Sequence, residues 1–213
     1  MNFGILSARF IAATRAMFAV GTILILMQPA AAAGDAEAGA QKAGTCAACH
    51  GMDGNSVNPQ WPSLAGQNAN YIVNTLQAFK DGTRSDVLMS AQAAALSEQD
   101  MADLAAHFEA QVATRRTANP DLARLGEKVY RGGNKETSVS ACIACHGPTG
   151  QGNGPAAYPA ISGQHAAYTA KQLNDYKSGA RTSDGDARIM RNITERLSDD
   201  EIKAVSAYMQ GLH

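Results

Sequence analysis

The six residues CAACHG at 46–51 return almost unchanged as CIACHG at 142–147. Each copy offers two thiols three positions apart and an imidazole directly after the second. Three chemistries use such a pair: a redox disulfide, half of a zinc site, or thioether attachment of haem. A zinc site built on four cysteines sets its two pairs about 15–20 residues apart. Here 92 residues separate them, and both histidines would be idle. A thioredoxin-like dithiol belongs at a strand-to-helix junction in a βαβ unit, and no stretch of this chain alternates as a strand should. Covalent haem attachment uses every residue of the box. The thiols add to the two vinyl groups, the two-residue spacer matches the vinyl separation over one helical turn, and the histidine lies under the iron. Cys46, Cys49 and His50 are therefore expected to hold one haem c, and Cys142, Cys145 and His146 a second.

The opposite face of each iron takes a sixth ligand or stays open, and this separates a carrier from an enzyme. Five methionines lie beyond the first 33 residues: Met52, Met89, Met101, Met190 and Met209. Met52 is too close to His50 to reach round the ring. Met101 and Met209 fall at apolar positions of the last helix of each copy, where packing is the natural reading. Met89 and Met190 each stand seven residues before the Leu-Ser that opens that helix, although the preceding loop is four residues longer in the second copy. They are the expected axial thioethers, placed in stretches that read as non-helical. His107 and His165 have no histidine counterpart in the other copy. His107 reads as a half-buried packing residue and His165 as a solvated residue at a helix start. A proximal imidazole gives its free N–H to a backbone carbonyl; Pro62 and Pro159, matched across the copies, are candidates, with a turn role as the alternative. Arg84 and Arg181 also match. They either pair with haem propionates or solvate their loop.

The repeat extends well beyond the boxes. WPSLAGQNANYIVNTLQAFKDGTR (61–84) aligns with YPAISGQHAAYTAKQLNDYKSGAR (158–181), and LSEQDMADLAAHF (96–108) with LSDDEIKAVSAYM (197–209). Three blocks in one order with small slips mark a tandem duplication of a domain, too long for a solenoid unit. Each copy reads as helical. One helix runs over 34–50 with Asp35 as cap, matched by one starting at Asp121 after Pro120. A middle helix carries Tyr71, Val73, Leu76 and Phe79 at helical spacing and stops at Gly82, its twin at Gly179. A last helix opens on Ser97/Asp100 and Ser198/Glu201, both resembling capping boxes. The first 33 residues read as a cleaved signal peptide: Arg9 and Arg15, an apolar run from Met17 to Met27, then an Ala-rich cleavage site. The expected domains are 34–115 and 116–213, joined through the polar VATRRTANP. Two of the 18 basic residues lie in the leader and none of the 19 acidic ones does, so the exported chain has a net charge near −3. With no basic runs, nucleic acid is excluded as a partner. Aromatics are 6% of the chain, too few for two small cores unless a bulky apolar group fills each domain.

The tandem CxxCH copies, GDAEAG at the exported start, ACHGMDGNS, LAGQ, GQHAAYTAKQL, DGDARIMR and the terminal YMQGLH resemble the cytochrome c4 family over the whole exported chain. That resemblance implies an all-α protein of two class I cytochrome c domains about a pseudo-twofold axis, with the haem propionates meeting at the interface. It implies His/Met ligation of both irons, His50 with Met89 and His146 with Met190. It further implies a periplasmic electron carrier without small-molecule substrate, working between a donor complex and a haem-copper terminal oxidase; some members are membrane-associated. The residue before Phe108 is usually tyrosine in this pattern and is His107 here. The competing expectation is a dihaem enzyme, a peroxidase or a sulfur-compound dehydrogenase, with one open iron.

Overall fold

Each copy of the repeat opens on a capped helix. The computed structural model describes Met1 and residues 33–213; the leader reading lies outside the described residues apart from Met1 and Ala33. Asp35 accepts the N–H groups of Glu37 and Ala38 and starts α1 (Ala36–Lys42); α2 (Gly44–His50) carries the first box. The single helix expected over 34–50 is thus broken at Ala43, whose N–H closes α1 on Gly39. α3 (Ala69–Asp81) ends on a left-handed Gly82, as expected. α4 (Val87–Ala94) and α5 (Glu98–Glu109) complete the first half, α5 with a full Ser97/Asp100 capping box. The second half runs α6 (Pro120–Gly132, capped by Asn119), α7 (Ile143–His146), α8 (Ala166–Ser178, ending on left-handed Gly179), α9 (Ile189–Thr194) and α10 (Asp199–Gln210, with the Ser198/Glu201 capping box). Among the described residues there are no strands, only isolated bridges such as Asn134 with Val139 in the loop between α6 and α7.

The helices that flank the boxes cross closely. α1 packs on α5, α6 on α10, and α3 and α8 on those same last helices. The crossings are set by glycine. A Cβ on Gly39 would lie 2.1 Å from the Asp103 carbonyl oxygen, and one on Gly126 2.2 Å from that of Ala204. Only a residue without a side chain allows backbones this near. Each half has its own apolar cluster. One holds Ile72, Leu104, Ala105 and Phe108; the other Val129, Tyr130, Leu173, Ile202, Val205 and Met209. Of the expected face of α3, Phe79 is buried and Val73 and Leu76 pack partly on the core, with Ile72 joining them, while Tyr71 turns toward the other half.

The architecture is all-α, two tandem helical copies related by pseudo-twofold symmetry. The interface shows that symmetry in reciprocal hydrogen bonds. Gln67 bonds Ala160 while Gln164 bonds Ser63, and Arg84 bonds Tyr168 while Arg181 bonds Tyr71. From Ala33 onward the described residues form one compact unit.

Candidate functional site

Within α2, Cys46 and Cys49 lie one turn apart and so share a face, with His50 closing the helix before Gly51 at φ +84. In the second half Cys142 stands at the N-cap of α7, with Cys145 and His146 in its single turn. Tyr130, fully buried on α6, donates its hydroxyl to the Gly147 carbonyl at 2.6 Å and pins the end of that turn.

Both histidines are buried, 6% and 9% exposed. His50 Nδ1 is 2.8 Å from the Pro62 carbonyl and His146 Nδ1 3.0 Å from that of Pro159, the carbonyls anticipated from the repeat. A carbonyl only accepts, so Nδ1 carries the proton and the Nε2 lone pair is free for a metal. Nε2 has no hydrogen-bond partner among the described residues. Burial lowers both imidazole pKa values, partly opposed by the proline carbonyls, and keeps the rings in the neutral, ligating form.

No disulfide joins any of the four cysteines. Burial pushes the Cys46 thiol up and that of Cys142 to about 11, the reverse of the depressed values of a reactive redox pair. Among the described residues no three His, Cys, Asp or Glu side chains gather at a metal-binding distance, so the two pairs do not combine into a zinc site. Two helical thiols followed by a neutral, oriented imidazole form the donor set that covalent haem requires.

Met89 and Met190 sit half-buried, on α4 and α9. The expectation that they lie in non-helical segments is corrected. Asp86 accepts the N–H groups of Leu88 and Met89 and nucleates α4. In the second half Asp184 accepts both the N–H and the Nε of Arg191 and fastens the longer loop to α9. Met190 packs on the same core cluster as Cys142. Met101 and Met209 are core residues, and Met52 is exposed. His107 packs edge-on to Phe108, ring centroids 5.1 Å apart, as a half-buried residue.

Two expectations change. His165 is not solvated; it is buried at the interface, its Nε2 2.8 Å from the Ser56 carbonyl of the other half. Arg84 and Arg181 do not solvate their loops. Both are buried, each guanidinium over its own aromatic ring, Phe79 at 4.6 Å and Tyr176 at 4.5 Å. They meet on Gln172 Oε1, at 2.7 Å from Arg84 and 2.9 Å from Arg181, and each donates to the facing tyrosine hydroxyl at 3.1 Å. Burial alone would raise the Tyr71 pKa, but the Arg181 and Arg84 charges outweigh it and pull it below the usual phenol value. Neither guanidinium has a carboxylate partner among the described residues, and two cations this close favour an anion beside them.

The residues that sequence reasoning passed over are Gln67, Gln164, Tyr130 and Arg116. The glutamines had a signal, the repeated LAGQ and ISGQ. Arg116 had none: it leaves the connecting segment to bond the Gly163 and Ser56 carbonyls.

The family model described as cytochrome c matches residues 36–110 and 123–213. Cytochrome c4 of Azotobacter vinelandii is 50% identical over 191 residues, 85% of this chain and 91% of that protein. The crystal structure of reduced recombinant cytochrome c4 from Pseudomonas stutzeri superposes with a TM-score of 0.83 at 47% identity, over 85% of this chain and all of that one. A protein of Stutzerimonas stutzeri called thiosulfate dehydrogenase electron acceptor is 37% identical over 89% of this chain and 90% of its own length.

Proposed function

Because the chain belongs to the cytochrome c family, and within it to the cytochromes c4, we propose that it is a periplasmic carrier with no substrate of its own, ligated by His50 and Met89 on one haem and His146 and Met190 on the other. It carries two covalent haem c groups on its CxxCH boxes and transfers electrons. Bound haem supplies a ferric–ferrous couple that takes up one electron at a time. The protein's part is to fix the ligands and exclude water. Domains spanning 34–115 and 116–213 each provide one histidine and one methionine, and a thioether ligand sets a higher potential than a second imidazole would.

The observation that carries the reading is that both halves offer the same set: a neutral imidazole tied at Nδ1 to a proline carbonyl and one methionine at a matched position. An enzyme with an open iron would break that symmetry at one half. The donor is a redox enzyme or donor complex and the acceptor a haem-copper terminal oxidase; the relative named as an electron acceptor of thiosulfate dehydrogenase supports a role between protein partners. The absorption spectrum of the dithionite-reduced protein, recorded before and after carbon monoxide, tests the ligation. An unchanged spectrum is expected from two irons held by strong sixth ligands. Rapid, complete binding at one haem would refute the carrier reading and favour a dihaem enzyme.

A further inference from the structure

Two glutamines at matching positions of the repeat reach across the interface to the peptide groups that hold the two proximal histidines. The peptide joining Pro62 to Ser63 presents its carbonyl to His50 Nδ1 at 2.8 Å and its N–H to Gln164 Oε1, from the other half, at 3.0 Å. The arrangement recurs in reverse. The peptide joining Pro159 to Ala160 presents its carbonyl to His146 Nδ1 at 3.0 Å and its N–H to Gln67 Oε1 at 2.8 Å. Each glutamine makes a second bond to the same residue, Gln164 Nε2 to the Ser63 carbonyl at 2.9 Å and Gln67 Nε2 to that of Ala160 at 2.8 Å. The amide therefore docks as a neighbouring strand would, in one register only.

The glutamines are themselves held. Each Oε1 also accepts the next residue's N–H, Asn68 at 2.9 Å and His165 at 3.0 Å. The preceding Gly66 and Gly163 adopt φ of +69° and +67°, the left-handed turn that aims the side chain across and that glycine adopts without strain. Both amides are buried, 7% and 9% exposed.

We propose that Gln164 tunes the haem of the first half and Gln67 that of the second, each through the peptide that orients the other half's histidine. The inference rests on the histidine ligation proposed above. An acceptor on a peptide N–H shifts electron density to the carbonyl of the same amide, and linked hydrogen bonds strengthen each other by about 10–30%. A richer carbonyl pulls harder on the imidazole N–H, raises ligand basicity and favours the ferric state. Each iron thereby senses whether the other domain is docked and in register. A simple clamp would use the same bonds, so the test must read electronic effect and not only stability.

The measurement is a spectroelectrochemical titration of the holoprotein, the two haems assigned by Met89→His and Met190→His, each of which lowers only its own potential. Gln164→Met keeps the length of the side chain and removes the acceptor. At the wild-type midpoint the first haem should then shift toward the reduced form by about two- to threefold, about 18–28 mV at 59 mV per decade, with the second haem unmoved. Gln67→Met should do the opposite. Gln164→Glu puts a charged acceptor on the same N–H and should move the first haem the other way. Shifts in both haems or neither, or of one sign for Met and Glu, would overturn the proposal. Should Gln164→Met fail to accumulate as holoprotein, Gln67→Met and Gln164→Glu decide. If the two axial variants move no potential, the ligation reading falls, and the crossed effect is still read from the ring N–H resonances, His50 responding to Gln164→Met and His146 to Gln67→Met.

Discussion

Placing an alanine at 126 and another at 132 changes the same helix in chemically identical ways with opposite consequences. Both glycines lie in α6, Gly126 in its interior and Gly132 at its last position, so the helix-propensity gain is about 0.5–1 kcal/mol at 126 and no larger at 132. At Gly132 a Cβ meets nothing within 4 Å, and Gly132→Ala should raise stability by up to that amount. At Gly126 the Cβ would stand 2.2 Å from the Ala204 oxygen, 2.8 Å from its carbonyl carbon and 2.6 Å from Tyr208 Cβ, against 3.4 Å or more in ordinary contact. None of these atoms is the end of a flexible side chain, so α10 must move off α6 by about 1 Å. A gap of that size forfeits a quarter to a half of the dispersion energy of each contact it opens. Overpacking of this kind costs about 1–3 kcal/mol. Because the propensity gain at 126 is at least as large as that at 132, the difference in their urea midpoints, scaled by the m-value, sets a lower bound on that packing cost. The assay is far-UV circular dichroism of the oxidised holoproteins in urea. Equal midpoints for the two variants would refute the close crossing as the organiser of this half.

Acid should weaken the first half through Asp103. Asp103 accepts the Asp35 N–H, Lys42 Nζ and Gln99 Nε2, and these hold its pKa down at about 2 against an ordinary 3.8. Its contribution is complete above about pH 4 and is lost as pH falls toward 2, and its counterpart in the repeat is Ala204; thermal unfolding followed from pH 5 to 2 should show the dependence flatten in Asp103→Asn. Removing the Tyr130 hydroxyl as Tyr130→Phe strands the Gly147 carbonyl at a cost of about 1–1.5 kcal/mol, and the spectral change should be confined to the second haem; equal perturbation of both haems would count against the role assigned to Tyr130.

Much of this protein is written locally. The CxxCH boxes, the capping boxes at Ser97 and Ser198, the glycine stops at 82 and 179 and the pairing of Met89 with Met190 all depend on residues within a turn or two, or on comparing one copy with the other. Pro62 and Pro159 were legible for the same reason. The helices carrying Met89 and Met190 were not, because short helices with little periodicity are started by a single carboxylate from Asp86 or stapled by Asp184 across seven residues.

Docking of the two halves decided the rest. His165, Arg84 and Arg181 look like surface residues in any sequence window, and the facing half supplies them with partners 84 to 110 positions away. The histidine peptides acquire their glutamine acceptors in the same way, over separations of 93 and 101 residues. The sequence alone determined the haem chemistry and the duplication, since attachment needs only neighbours along one helical turn. Which polar groups surround each site depends on complementary surfaces meeting, and polar side chains become buried only when the opposite surface satisfies their hydrogen bonds.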